Sequence, residues 1–315
     1  MGWREWGVSM AAHAFGYEPD PHGAAAFVKT LARPTLAQAG PDLATDEKTD
    51  VFLYEALLQC QPSWQRGSQG SVGSCVGWAA ALCVDVLAAA DIVYRKEPEV
   101  WAGRTIEGSL YGLSRVEARG RTSNLGGDGS TGFHAAKAIR DFGCLHYGVD
   151  YGGTIFEAHS SQRERDWGRN GLPDTLEPFA KERRASETTL VTSFMDVARA
   201  VSNGYGCVVC SMQGFSMSRD SEGFCKPGGT WPHAMLIGGI RWGKRPGALI
   251  LNSWGASNTV GKHYPENIPE AVRVCSFWAD ADVIDRMCRG EDTYTYAGYS
   301  GFQRTTIDNW TGGVL

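Results

Sequence analysis

The chain has 315 residues, 43% hydrophobic and 21% charged, with a formal net charge of −5, the balance of a globular protein with ample material for a core. So small a charge, with no Lys/Arg-rich run, excludes binding to nucleic acid driven by electrostatics. The uncharged apolar stretches are too short to span a bilayer, so no membrane partner is expected. The nine cysteines are an odd number and are scattered, and the start Met1-Gly2-Trp3-Arg4-Glu5-Trp6 lacks the apolar core and cleavage site of a signal peptide. A reducing compartment is therefore expected, either cytoplasmic or inside a particle. Gly7 and the bulky Trp3 give the Met-Gly start little support as a myristoylation signal.

Residues 1–49 are rich in Ala, Gly and Pro, with turn signals at Pro19, Pro21, Pro34 and Pro41, and read as an extension ahead of a main domain at 50–291. Asp50 to Arg66 leads into the glycine-rich run Gln69-Gly70-Ser71-Val72-Gly73-Ser74-Cys75. From Ala79 to Val93 almost every residue is apolar, broken by Asp85 and Asp91, which predicts a buried helix with Ser74 and Cys75 in its first turn. The unpaired N–H groups and the positive helix end there favour thiolate, so Cys75 is placed to act as a nucleophile; a small core residue is the competing reading. Gln69, six positions earlier across a glycine turn, can fold its amide beside the sulfur. That amide and the Cys75 backbone N–H could then converge on a developing oxyanion.

Gly108 to Arg119 predicts a second helix. The glycine loop Asn124-Leu125-Gly126-Gly127-Asp128-Gly129-Ser130 precedes a third, with Ser130 as its cap, Phe133, Ala136, Ile139 and Phe142 at helical spacing, and Gly143 as its stop. Tyr147 to Glu187 reads as a long polar and aromatic excursion to which no chemistry is assigned. Ser193-Phe194-Met195-Asp196 opens a helix ending near Ser202, and Cys207 to Met212 is a strand. Cys207 and Cys210 have metal-like spacing, but on a strand they face opposite ways and no second pair exists, so core cysteines are predicted. His233 to Ile240 and Ala248 to Trp254 form a predicted hairpin around Arg241 to Gly247, and Val272 to Met287 a closing strand. The segment 292–315, with Tyr294, Tyr296, Tyr299, Phe302 and Trp310, is poor in aliphatic core formers and reads as a C-terminal arm. Of the seven histidines, His233 alone sits between an aromatic-proline lead and an apolar strand. No metal cluster or phosphate cradle is visible, so no cofactor is expected.

Three blocks, in order, carry a resemblance. Gln69 to Cys75 resembles the nucleophile motif of papain-like (C1-type) cysteine peptidases, with a likeness to their prokaryotic and phage-like branch. Trp231-Pro232-His233-Ala234-Met235-Leu236-Ile237-Gly238-Gly239 resembles the segment carrying the family's base, and Leu249-Ile250-Leu251-Asn252-Ser253-Trp254-Gly255 the strand carrying its orienting asparagine. The likeness spans roughly Val51 to Asp285. It implies an α+β fold of two subdomains, a helical half with the nucleophile helix and an antiparallel β-sheet half with His233 and Asn252, with a cleft between them. It also implies acyl transfer: Cys75 attacks a peptide carbonyl, Gln69 and backbone N–H groups hold the oxyanion, His233 protonates the leaving amine, and Asn252 orients His233. Trp254 would shield the His233–Asn252 hydrogen bond, and Gly126, Gly127 or Gly129 would pair with an extended substrate. Gly261 to Pro269 resembles the loop that follows the asparagine strand.

Two departures concern compartment and pocket shape rather than the catalytic step. Val72 stands where secreted relatives carry a disulfide cysteine, and Val76 where plant and lysosomal relatives carry Trp; Trp78, one turn along, could cover the same face. Family members often carry an inhibitory prosegment before this region. Residues 1–49 lack the long charged helix of plant and lysosomal prosegments, so an inhibitory arm and a docking arm both stay open. Two functional readings follow. One is an active peptidase acting on a peptide or protein substrate. The other is an assembly component of a larger particle, such as a virion, that docks to a protein partner or a second copy through its two ends.

Overall fold

In the computed structural model, which describes residues 14–120, 126–255 and 268–300, helices pack against one antiparallel sheet. The chain enters through the short helices α1 (Pro21–Val28) and α2 (Leu36–Ala39), then β1 (Val51–Phe52) and α3 (Tyr54–Cys60). The long helix α4 (Cys75–Val93) follows, with α5 (Glu107–Arg115), α6 (Gly132–Asp141), α7 (Ser161–Asn170) and α8 (Glu177–Lys181) after it. The second half comprises β2 (Arg184–Leu190), α9 (Phe194–Ser202), β3 (Cys207–Arg219), β4 (Cys225–Arg241) and β5 (Gly247–Leu251). It closes with α10 (Glu270–Arg273), β6 (Ser276–Asp280), α11 (Ala281–Cys288) and β7 (Thr293–Ser300).

Every residue of α4 from Cys75 to Ala90 is buried. A helix apolar on all faces needs cover on all faces, and α3, α5 and α6 supply it with strands β3, β4 and β7. The helix is long and apolar enough to cross a membrane, yet most of it lies inside the protein, so its composition reflects a core. Gly77 marks where α5 crosses it: a Cβ there would sit 2.7 Å from the Tyr111 Cβ and 2.9 Å from the Glu107 carbonyl. Asp85, at the centre of this apolar helix, accepts the Thr105 backbone N–H at 2.7 Å and so anchors the chain entering α5. Burial pushes its carboxyl up to about 7.

The sheet runs β2-β7-β3-β4-β5-β6, with β1 paired to β4. Leu236 pairs with Leu251, so His233 and Asn252 emerge at the same end of neighbouring strands β4 and β5. The predicted hairpin is therefore what brings the two residues together.

Several sequence expectations are corrected. Residues 293–300 are not an arm: β7 is hydrogen-bonded between β2 and β3, with Tyr296 opposite Thr188 and Thr295 opposite Cys207. Its Tyr294, Tyr296 and Tyr299 are fully buried, so tyrosine rings provide the burial that aliphatic residues usually provide in a strand. Residues 301–315 lie outside the described residues. At the other end, Ala24, Phe27, Leu31 and Leu36 enter the core, and Phe27 packs on Phe133 and Tyr294 with centroids 6.0 and 5.7 Å apart. The described part of the N-terminal extension is therefore packed on the domain. Val272 to Met287 is α10, β6 and α11 rather than one strand, because Val283, Ile284, Met287 and Cys288 share a buried helical face. Thr131, not Ser130, caps α6, its hydroxyl accepting the His134 N–H. In the two loops read by resemblance, Asn124, Leu125 and residues 261–267 lie outside the described residues.

Candidate active site

Cys75 is the first residue of α4, with Ser74 as N-cap. Its thiol is completely buried, and that burial pushes it up to about 12. Backbone N–H groups of Ala234, Gly16, Val76 and Cys75 pull the other way. In this covered state desolvation outweighs the helix terminus, so the expected thiolate bias is masked. The Ala234 contact places the strand segment that carries His233 against Cys75. His233 Nε2 lies 2.7 Å from Asn252 Oδ1, with both side chains fully buried. Trp254 stacks on the imidazole at 4.7 Å and 29°, and Trp231 packs 5.0 Å behind it.

Gln69 belongs to the same constellation. Its backbone N–H donates to Ser253 O at 2.9 Å, and Ser68 bridges to Trp254, so the nucleophile loop is zipped to the asparagine loop. Ser253 Oγ donates to Gln69 Oε1 at 2.5 Å. That bond fixes the amide orientation and turns Nε2 outward, where it donates to Val72 O at 2.8 Å and Ala14 O at 3.0 Å. Arg66 closes the ring from beneath, its Nε donating to the Asn252 carbonyl at 2.9 Å. Ser253 was legible only as a motif letter; its role emerges once the two loops pair.

The glycine loop is tied to the nucleophile loop by Asp128. The Gly73 N–H donates to Asp128 Oδ2 at 3.0 Å, and Tyr111 Oη donates to Oδ1 at 3.1 Å. Of the three glycines expected at the substrate, Gly129 alone abuts a chain lying in the cleft: a Cβ there would come within 3.1 Å of Gly16 O. A Cβ on Gly126 or Gly127 would meet open space. The residue that pairs is Ser130, and the chain is the protein's own. Ser130 N–H donates to Gly16 O and Glu18 N–H to Ser130 O, both at 2.8 Å, as a parallel bridge centred on Tyr17. Tyr17 N–H donates to Pro232 O at 3.0 Å. Phe15 packs against His233 and Trp254, at 5.9 and 5.7 Å. Residues 14–18 thus run from Gln69, past His233 and over Cys75, to Ser130.

The excursion after Tyr147 contributes a buried carboxylate. Glu164 on α7 accepts the Trp78 indole N–H at 2.8 Å and hydrogen-bonds the Ser74 side chain at the nucleophile's N-cap. Nothing local in the sequence signals this, because the partners lie 86 positions apart. Burial raises Glu164 to about 8, and raises Asp85 and Asp292 to about 7. Unfolded carboxyls titrate near 4, so between about 4 and 8 the native state binds more protons than the unfolded chain. The stability from these groups is therefore complete below about pH 4 and is lost as pH rises through 7 to 8. The melting temperature is expected to fall from about pH 5 to 9, and Glu164→Gln to flatten that fall. A melting temperature rising across that window contradicts the assignment.

Fold and site geometry together define a papain-like architecture: a helical half bearing Cys75, a sheet half bearing His233 and Asn252, and a cleft between. No family model and no curated protein matches the sequence. Among solved structures the chain is similar to xylellain, a cysteine protease from Xylella fastidiosa, at 15% identity and TM-score 0.51, covering 90% of this chain and 91% of that one. It is similar to procathepsin B S9 from Trypanosoma congolense, at 14% identity and TM-score 0.52 over 91% and 86% of the two chains. Procathepsin L2 from the larval midgut of Tenebrio molitor matches at 12% identity and TM-score 0.50, covering 91% and 78%.

Proposed function

We propose that the chain is a cysteine peptidase that hydrolyses peptide bonds, and that residues 14–18 hold it closed. The observation that carries this reading is the Ala14 carbonyl accepting the Gln69 Nε2–H, 3.0 Å away. A peptide oxygen already lies where a developing oxyanion would be stabilised. In the reaction, the Cys75 sulfur bonds to the substrate carbonyl carbon, and the tetrahedral oxygen is held by Gln69 and the Cys75 N–H. The C–N bond then breaks as His233 passes its proton to the leaving amine. Water, deprotonated by His233, releases the acid from the thioester and restores the thiol. The His233–Asn252 bond engages Nε2, which leaves Nδ1 to serve the sulfur. Trp254 over the ring keeps water from that bond.

In the closed state the Cys75 sulfur accepts the backbone N–H of Gly16. The assembly reading drew on two arm-like ends, and residues 293–300 of the C-terminal one form strand β7.

The test is labelling with an epoxide-type thiol probe, read by mass spectrometry, beside a peptide hydrolysis assay. Cys75 is expected to be the first of the nine cysteines modified once the cleft opens. First modification of Cys144 or Cys207 would overturn the nucleophile assignment. Gln69→Ala is expected to slow acylation by about two to three powers of ten without changing the fold.

A further inference from the structure

Beside the nucleophile, the closed cleft already holds a side chain in a built pocket. Tyr17 is only 7% exposed, and its backbone is fixed on both sides, by Pro232 O next to His233 and by Ser130 on the opposite wall. Its hydroxyl hydrogen-bonds the carboxylate of Asp292, itself 1% exposed. Asp292 is held rigidly: Oδ2 accepts Gly132 N–H at 2.9 Å and Oδ1 accepts Phe133 N–H at 2.7 Å, the first two N–H groups of α6. Those contacts and the positive end of α6 fix the carboxylate in place. Its remaining capacity is directed to the Tyr17 hydroxyl. A cavity of about 420 Å³ adjoins the ring, bordered by Cys210, Ser211, Met212 and Met287, so there is room for a side chain to exchange with Tyr17.

We infer that this pocket selects peptide chains bearing a tyrosine, with Asp292 as the residue that reads the phenolic hydroxyl. The inference rests on the reading of the cleft as a peptide groove, and it adds a substrate class to that reading. A phenol fits this site. Each Asp292 oxygen already accepts one backbone N–H, and the phenol held there takes a remaining lone pair with its single O–H while its ring fills the pocket. The Cys and Met side chains around it suit a flat ring.

The ligand can be varied without touching the fold. Full-length protein carrying Cys75→Ala and Tyr17→Ala would be titrated with blocked tetrapeptides in which Tyr, Phe, O-methyltyrosine or Lys is moved through each position. At one position Tyr is expected to bind about tenfold tighter than Phe or O-methyltyrosine, the range for a hydrogen bond to a charged group. Asp292→Asn is expected to shrink that ratio to below about threefold while Phe affinity holds, which also shows that the pocket remains folded. Equal Tyr and Phe affinity at every position, tighter binding of Lys than Tyr, or no binding of any peptide overturns the inference. The same peptides would then be offered to the Tyr17→Ala chain with Cys75 intact. A Tyr preference in binding without hydrolysis removes the peptidase reading alone; hydrolysis without the preference removes the pocket alone.

Discussion

Replacing Gly16 by Val is expected to raise peptide hydrolysis by the full-length chain by about ten- to a hundredfold. A Cβ at position 16 would lie 1.9 Å from the Gly73 carbonyl oxygen and 2.3 Å from its carbon. Both are backbone atoms of the nucleophile loop, which is pinned by Asp128 and by its pairing with the asparagine loop, so the neighbour has little freedom to give. Overpacking of this kind costs about 1–3 kcal/mol, and each 1.4 kcal/mol multiplies the open population about tenfold. The substitution lies outside the catalytic groups, so the melting curve should change little while turnover rises. Unchanged turnover together with loss of association to a partner or a second copy would assign residues 14–18 to docking instead.

In that opened background, His233→Ala is expected to lower kcat/KM by at least about three powers of ten, the usual scale for loss of a general base paired with a nucleophile. In the proposed reaction the imidazole takes the thiol proton and later delivers one to the amine. Asn252→Ala should cost less, because its Oδ1 orients the ring at 2.7 Å and transfers no proton. A His233→Ala chain with near-normal turnover would sink the mechanism. A larger loss from Asn252→Ala than from His233→Ala would mean that Asn252 holds the two loops together rather than orienting the base.

Much of the site was legible because its three blocks are contiguous motifs whose spacing survives without the rest of the structure. Cys75 is recognisable from the polar run that ends in an apolar helix, and His233 and Asn252 from the hairpin that aligns them. What escaped notice depends on long-range contacts. Ser253 matters only through Gln69, Glu164 only through Ser74 and Trp78, and Asp292 only through the first turn of α6. The glycine loop draws attention to Gly126, Gly127 and Gly129, whereas the backbone that pairs with the protein's own residues 16–18 is that of Ser130. The tyrosine-rich segment was misread because a strand built from tyrosines has no aliphatic signature, although its rings are as buried as any leucine in the core.

The place of β7 also bears on how the protein is made. Among the described residues strand β2 has β7 as its sheet neighbour, and Leu190 pairs with Tyr294 across about a third of the sequence. A chain still emerging from the ribosome has β2 with an unpaired edge, β3 with one side open, and α6 without the carboxylate that caps its first turn. Pairings so distant along the chain pay their loop entropy late, so this half of the sheet should condense slowly and last. On this topology the two halves lock around a cleft only after residue 300 has been made, so a shorter nascent fragment carries Cys75 without a formed cleft. Premature termination shortly before β7 should yield an aggregation-prone product with an open sheet edge rather than a constitutively active one.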